Sequence, residues 1–438
     1  MKKLLFPLLL FCFATNGRSQ DSLVHIIQEI ITVDSLVHEE MRFNRDGLFM
    51  PLRGLIQTFT HREFNQLPGP YRFNNHRWED YAPALSPLAA TWIMKICGVK
   101  SRSTTRRMLT SNGIALGLTV GLSQTLRWSV REERPDGSGN NSLPSFHSAL
   151  AYMGATVLSR EYGHISPWIT IGGYTAATGT QMLRIGHNAH WMNDVFLGAG
   201  IGVVSTHLAY YLTDCIFGAK GVRPMPFSPS EQAQLLAWNN RPSGFRLISG
   251  SETNGRSVGI ADLAEAAEGI DMTDIKLRSS ASITTGFEAE WFITNNLYLS
   301  AIGRYTMSQA KLEIPNNAVT AWGEQIHIYH GDIAAGWYLP PLPIKGAKGA
   351  TRFGLRTLWG IRYNEGITFH RVGPGKTMGE DLLRIKSQLR PAGGAGIVID
   401  MLQSHNQTVG FSVDFLHTFG TRFLANRWVI ASSWKAMF

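Results

Sequence analysis

Three polar clusters decide how the first half of the chain is read: Arg127-Trp128-Ser129-Val130-Arg131-Glu132-Glu133-Arg134-Pro135, then Pro144-Ser145-Phe146-His147, then Arg184-Ile185-Gly186-His187-Asn188-Ala189-His190-Trp191-Met192-Asn193-Asp194. Between them lie runs of small apolar residues, such as Ser148-Ala149-Leu150-Ala151-Tyr152-Met153-Gly154-Ala155, with helical spacing. Arg127, Arg131 and Arg134 fall at i, i+4 and i+7, so they share one face if a helix runs on to Pro135, which stops it. Pro144 opens a helix whose first N–H groups point outward, a ready anion site. Gly186 and Asn188 mark a turn, after which His190 and Asp194 are expected one turn apart on the next helix.

These residue types suit one chemistry. Three guanidinium groups and a helix N-terminus make a cage for a tetrahedral oxyanion. Two imidazoles supply a nucleophile and a general acid, and a carboxylate one turn from a histidine orients it and stabilises its cation. Phosphoryl transfer through a phosphohistidine, without a metal or other cofactor, is the expectation.

The spacing also resembles the type 2 phosphatidic acid phosphatase (PAP2) superfamily, whose pattern is Lys-x6-Arg-Pro, Pro-Ser-Gly-His and Ser-Arg-x5-His-x3-Asp. Here it reads Arg127-x6-Arg134-Pro135, Pro144-Ser145-Phe146-His147 and Leu183-Arg184-x5-His190-x3-Asp194, within roughly residues 75–215. The resemblance implies His190 as nucleophile, Asp194 as its partner and His147 as acid to the leaving group. It implies that Arg127, Arg134, Ser145, Arg184 and the backbone N–H of Phe146 hold the phosphate, and that the substrate is a lipid phosphate. Three positions depart from the pattern. Arg127 keeps the charge of the lysine with a different geometry. Phe146 replaces glycine and is expected to crowd the pocket. Leu183 removes a hydroxyl.

Outward from this region, residues 1–19 read as a secretory signal peptide: Lys2-Lys3, an apolar core, then Gly17 and Ser19 before a cleavage point. Residues 20–80 are mixed, with helical spacing at 23–36 and 50–59. Helices are expected over 83–97, 111–130, 145–160, 167–183 and 190–213. None is a clean apolar span of membrane length, so a helical domain facing the periplasm is expected, with an inner-membrane enzyme as the alternative. The net charge of +9 on 438 residues is modest, and no basic run with interleaved aromatics argues for nucleic acid. Cys97 and Cys215 are free to pair in an oxidising compartment.

Residues 221–242, with Pro224, Pro226, Pro229 and Pro242, read as a linker. Beyond it the period changes to two. In 407–419, for example, Val409, Phe411, Val413 and Phe415 alternate with Thr408, Gly410, Ser412 and Asp414. Eight strands are expected at 243–251, 279–293, 297–313, 325–339, 350–364, 389–402, 407–419 and 426–438. Short connections after the even strands and long ones at 252–278 and 365–388 match an outer-membrane barrel. The final strand, Trp428, Ile430, Trp434 and Phe438 on one face, resembles the C-terminal signal read by the barrel-assembly machinery. Arg304, Arg352, Arg356 and Arg362 are expected to pair with Glu288, Glu290, Asp332 and Asp414 inside.

The composite expectation is an α+β multidomain chain: an all-α PAP2-like bundle at 81–220, then an eight-stranded antiparallel β-barrel at 243–438 anchored in the outer membrane. Its expected activity is hydrolysis of a phosphomonoester or pyrophosphate on an envelope lipid; lipid A phosphate, undecaprenyl pyrophosphate and phosphatidylglycerol phosphate are the candidates. A non-specific periplasmic acid phosphatase and an inactive barrel-anchored binding protein are the alternatives.

Overall fold

Two hydrophobic periods give two bodies. In the computed structural model, residues 78–222 are described except 136, 188 and 219. So are residues 243–437 except 254–257, 260–263, 267–274, 280–281, 309, 314–320, 324, 341, 344–349, 373–377, 405–406 and 422–424. The expected signal peptide, the helices at 23–36 and 50–59, the loop up to residue 77 and most of the linker lie outside the described residues.

Five helices form the first body: α1 (Trp78–Ile96), α2 (Thr105–Val130), α3 (Phe146–Tyr162), α4 (Pro167–Gly186) and α5 (Met192–Phe217). α5 is apolar on all sides because it is the centre of the bundle, with α2 and α3 packed on it. Glycine sets how close α3 comes. A methyl group added at Gly198 would collide with the carbonyl oxygen of Ser145, and one at Gly202 with that of Ala149. Several threonines inside the helices spend their hydroxyls on the preceding turn, as Thr119 does on Ala115 and Thr206 on Gly202.

α2 ends at Val130, where the expected helix 111–130 ended, so Arg127, Arg131 and Arg134 do not share one helical face. Arg131 adopts the left-handed conformation (φ 50°) and its N–H caps the Arg127 carbonyl. The chain then folds on itself, with Arg134 N–H donating to Gly139 and Ser142 N–H to Glu132. Those loop bonds outcompete continuation of the helix, so Arg134 reaches the site from a loop.

The second body has the eight expected strands: β1 (Gly244–Thr253), β2 (Ser282–Phe292), β3 (Leu297–Ser308), β4 (Ile326–Tyr338), β5 (Ala350–Asn364), β6 (Gln388–Ser404), β7 (Gln407–Thr418) and β8 (Asn426–Met437). Each pairs antiparallel with its sequence neighbours, and β8 pairs with β1, closing a barrel. One end carries the short connections and the two chain ends of the barrel. At the other end the long connections add small strands, including Val258–Gly259 with Lys276–Ser279 and Ile367–Val372 with Met378–Ile385.

Alternation turns charged residues inward, where they must pair. Arg304 and Arg356 both bond Asp414, and Arg356 also bonds Glu288. Glu252 accepts from Arg362 and Arg427, and Arg246 joins Glu290 to Asp400. Arg352 donates to the Asn295 carbonyl and lies over the Phe292 and Tyr338 rings. An apolar layer including Ile248, Ile302, Leu358 and Val429 completes a filled interior.

The bundle docks on the outside of this wall. Tyr174 of α4 stacks on Trp434 of β8 at 4.1 Å, and Trp168 meets Phe245 of β1 at 5.3 Å. Leu247, Ile283, Met307, Val409 and Ala436 share one core with Tyr152, Ile171, Ile185 and Phe196. At the short-connection end, Gln407 Nε2 donates to the Gly163 carbonyl at 2.7 Å. At the other end, Gln325 Nε2 donates to the Gly186 carbonyl at 3.2 Å. α4 therefore runs along the wall from one rim to the other.

Removing Glu252 leaves Arg362 and Arg427 sharing the interior without their carboxylate. Glu252→Gln is expected to destabilise the barrel by about 3–5 kcal/mol. Thermal unfolding of the full chain in detergent measures it, and an unchanged midpoint would mean the pairing contributes nothing.

Candidate active site

The three sequence clusters meet at one end of the bundle. α2 and α4 each end there, with Arg127 and Arg184 in their last turns, and α3 and α5 begin there. His190 lies in the connection before α5, and Asp194 is the third residue of that helix, so the two are not both on it as the spacing implied. The reason is the helix start itself. The Asp194 carboxylate accepts the Trp191 N–H at 2.9 Å, which fixes Trp191 as the N-cap.

The tautomer of His190 follows from one bond. Its Nδ1 is 2.8 Å from the Ser142 carbonyl, which can only accept, so Nδ1 carries the proton. Nε2 is then a lone pair, buried and without a hydrogen-bond partner among the described residues. Asp194 Oδ2 stands 3.5 Å from Nδ1 and accepts the Ser142 hydroxyl. Ser142 thus grips both groups, with its carbonyl on the ring and its hydroxyl on the carboxylate. Sequence reasoning missed it, because a serine in a loop carries no spacing rule.

His147 is buried at the start of α3, and neither of its ring nitrogens has a partner among the described residues. The Tyr81 ring, also unanticipated, lies 4.3 Å from it. Ser145 is fully buried; its N–H donates to the Asp194 carbonyl at 3.0 Å, tying the start of α3 to that of α5. Arg127 is anchored by two bonds to the Pro144 carbonyl, at 3.1 and 3.2 Å. Arg134 donates to Asn141 at 2.7 Å. The Phe146 side chain packs against a cluster of Ala115, Leu150, Met153 and Ala209, with the Arg127 guanidinium 5.8 Å from the ring centre. The Phe146 N–H, in the first turn of α3, keeps its place among the free helix donors.

The electrostatics couple these groups to one another. Burial holds His190 well below the usual imidazole range, and Arg184, Arg134 and Arg127 push it further down. His147 is brought to about 3 by burial and then by Arg184, His190, Arg127 and Arg134. Burial raises Asp194 to about 7, against the hydrogen bonds from Ser142 and Trp191. Three guanidinium groups, two neutral imidazoles and one buried carboxyl leave a surplus of positive charge, which an anion satisfies.

Comparison with known proteins bears on this geometry. Residues 109–215 match the PAP2 superfamily. That segment holds every site residue singled out in the sequence, and over it the chain is similar to that superfamily. A Porphyromonas gingivalis protein named lipid A 1-phosphatase is 39% identical over 143 residues, spanning 32% of this chain and 32% of that relative. The chain therefore matches about a third of the relative's length. Among solved structures, neisserial surface protein A is 11% identical with a TM-score of 0.24, covering 44% of this chain and 97% of that one. The outer membrane protein OprG of Pseudomonas aeruginosa is 11% identical with a TM-score of 0.28, covering 46% and 96%.

The histidine positions have a stability consequence. His147 has an ordinary value of 6.5 and about 3 when folded, so below 6.5 the unfolded chain binds the extra proton and acid weakens the fold. Relative to His147→Gln, the wild-type chain should lose about 1.4 kcal/mol of unfolding free energy for each pH unit below about 6.5. Asp194 shifts the opposite way but is common to both proteins and drops out of the difference. Paired denaturant titrations across that range check it; a difference that stays flat would mean His147 titrates normally.

Proposed function

We propose that the chain is a phosphatase that removes a phosphate or pyrophosphate group from an envelope lipid through a phosphohistidine. The observation that carries this is the Nε2 lone pair of His190: tautomer fixed, proton absent and no partner among the described residues, with three guanidinium groups close by. Nε2 attacks phosphorus as the bond to the lipid oxygen breaks. His147 gives that oxygen its proton. The negative charge of the bound phosphate offsets the arginines that depress His147, so binding raises its basicity and lets it arrive protonated. Water then cleaves the P–N bond, with His147, now neutral, taking the proton of the water. Arg127, Arg134, Arg184, the Ser145 hydroxyl and the Phe146 N–H stabilise charge on the equatorial oxygens.

Lipid as the class rests on the surroundings. Trp128 and Leu183 beside the site are exposed. The outer wall of the barrel presents Phe287, Trp291, Ile333, Leu355, Trp359 and Ile361 to the exterior while charge is kept inside, which supports an outer-membrane barrel. We take 81–220 as the catalytic unit and 243–438 as the anchor, inserted by the barrel-assembly machinery through its last strand. The relative's named substrate makes lipid A phosphate the first lipid to try, followed by undecaprenyl pyrophosphate and phosphatidylglycerol phosphate.

Phosphate release from a panel of these lipids in detergent tests the reading. His190→Ala is expected to lose activity by on the order of 10⁴-fold or more. His147→Gln should lose about 10²–10⁴-fold, and excess chelator should change nothing. A folded His190→Ala protein with undiminished turnover would sink the mechanism. Equal rates on a small aryl phosphate would point instead to a non-specific phosphatase.

A further inference from the structure

The way the bundle sits on the barrel settles which membrane face the site opens to. The docked face of α4 spans the barrel wall from rim to rim, held by Gln407 at one end and Gln325 at the other. A wall that faces lipid therefore continues sideways into the bundle. The exposed sides of the bundle have the composition this requires. Residues 81–94, 108–126 and 168–183 contain no Asp, Glu, Lys or Arg. The exposed residues in these spans include Ile93 (60% exposed), Leu109 (56%) and Leu116 (42%). The helices that carry them have 19, 26 and 20 residues, or about 28–39 Å at 1.5 Å per residue, enough for a hydrocarbon layer of roughly 30 Å. Charge returns only at the ends: Arg127, Arg131 and Arg134 at the site, Lys100, Arg102 and Arg106 at the opposite end.

The rims of the barrel then set the direction. Short turns of such barrels face the periplasm and long loops face outward. Gly186, at the site end of α4, is held by Gln325, which borders the long connection before β4. Gly163, at the far end of the bundle, is held by Gln407, just past the short turn before β7. α5 runs back to that same short-turn side, where the chain re-enters at Gly244.

We propose that the helical bundle lies within the outer-membrane bilayer beside the barrel, with its phosphate pocket on the long-loop side, and that it draws phosphorylated lipid from the outer leaflet. This reverses the periplasm-facing site expected from sequence. The claim about substrate rests on the phosphatase reading; the claim about placement does not. Because lipid surrounds the bundle, a substrate headgroup reaches the pocket by lateral diffusion past Trp128 and Leu183, without leaving its leaflet.

Two measurements on the full chain test placement without turnover. The exposed thiols Cys97 and Cys215 lie at the end away from the site and act as built-in reporters of the periplasmic side. In a Cys97→Ser/Cys215→Ser background, Asn140→Cys marks the site loop and Glu365→Cys the long-loop rim. A membrane-impermeant maleimide on intact cells should label both new thiols at least tenfold more than the native pair. Opening the outer membrane should then bring the native pair up to the same level. If Asn140→Cys reacts only after opening, the proposed direction is wrong, whatever Glu365→Cys does. Separately, a nitroxide on Val120→Cys in reconstituted vesicles should collide with oxygen several-fold more than with a water-soluble nickel chelate, and one on Arg106→Cys the reverse. Water-like collisions at 120 would overturn the embedding. Absence of phosphate release with both placements as expected would reject the chemistry alone.

Discussion

The close crossing of α3 and α5 is the constraint on which the site depends. Gly198 and Gly202 let the two backbones approach to a distance that any side chain would prevent. That approach places the start of α3, with His147, against the start of α5, with Asp194. The bond from Ser145 N–H to the Asp194 carbonyl locks the two starts together. Every helix N–H donor, both imidazoles and the carboxylate owe their proximity to this contact. The arginines come from the other side, on the ends of α2 and α4 and on the loop between α2 and α3. The surrounding helices supply the stability that holds these like charges together.

Much of this was legible in the sequence. The residues gathered at one end of the bundle are the ones whose spacing drew attention, and the change of period from 3.6 to two located all eight barrel strands. What escaped had physical causes. The spacing of Arg127, Arg131 and Arg134 offered a shared helical face, but the αL geometry of Arg131 and the hydrogen bonds of the following loop put Arg134 off the helix. His190 was read as helical because spacing cannot show that a carboxylate three residues after Trp191 would cap the helix there. Ser142 acts through its carbonyl and its hydroxyl at once, which residue identity alone does not reveal. Inside the barrel, charged residues at period two pointed to an ionic core, but cross-strand register decides partners, and Arg362 pairs with Glu252, a carboxylate the alternation had not singled out.

The two bodies solve opposite solvation problems. The barrel turns its charges inward and pairs them, so its outer wall is left to apolar side chains. The bundle buries its most apolar helix at the centre and collects its charges at two ends. Where they meet, the stacked Tyr174 and Trp434 rings sit in one continuous core that neither body could complete alone.

The composition of that shared core carries a further consequence. The barrel residues in it come from the first three strands and the last two: Leu247, Ile283, Met307, Val409, Trp434 and Ala436. Those on β1 to β3 and those on β7 and β8 are joined only through the β1–β8 pairing, so the complete surface on which α4 packs exists only in the closed barrel.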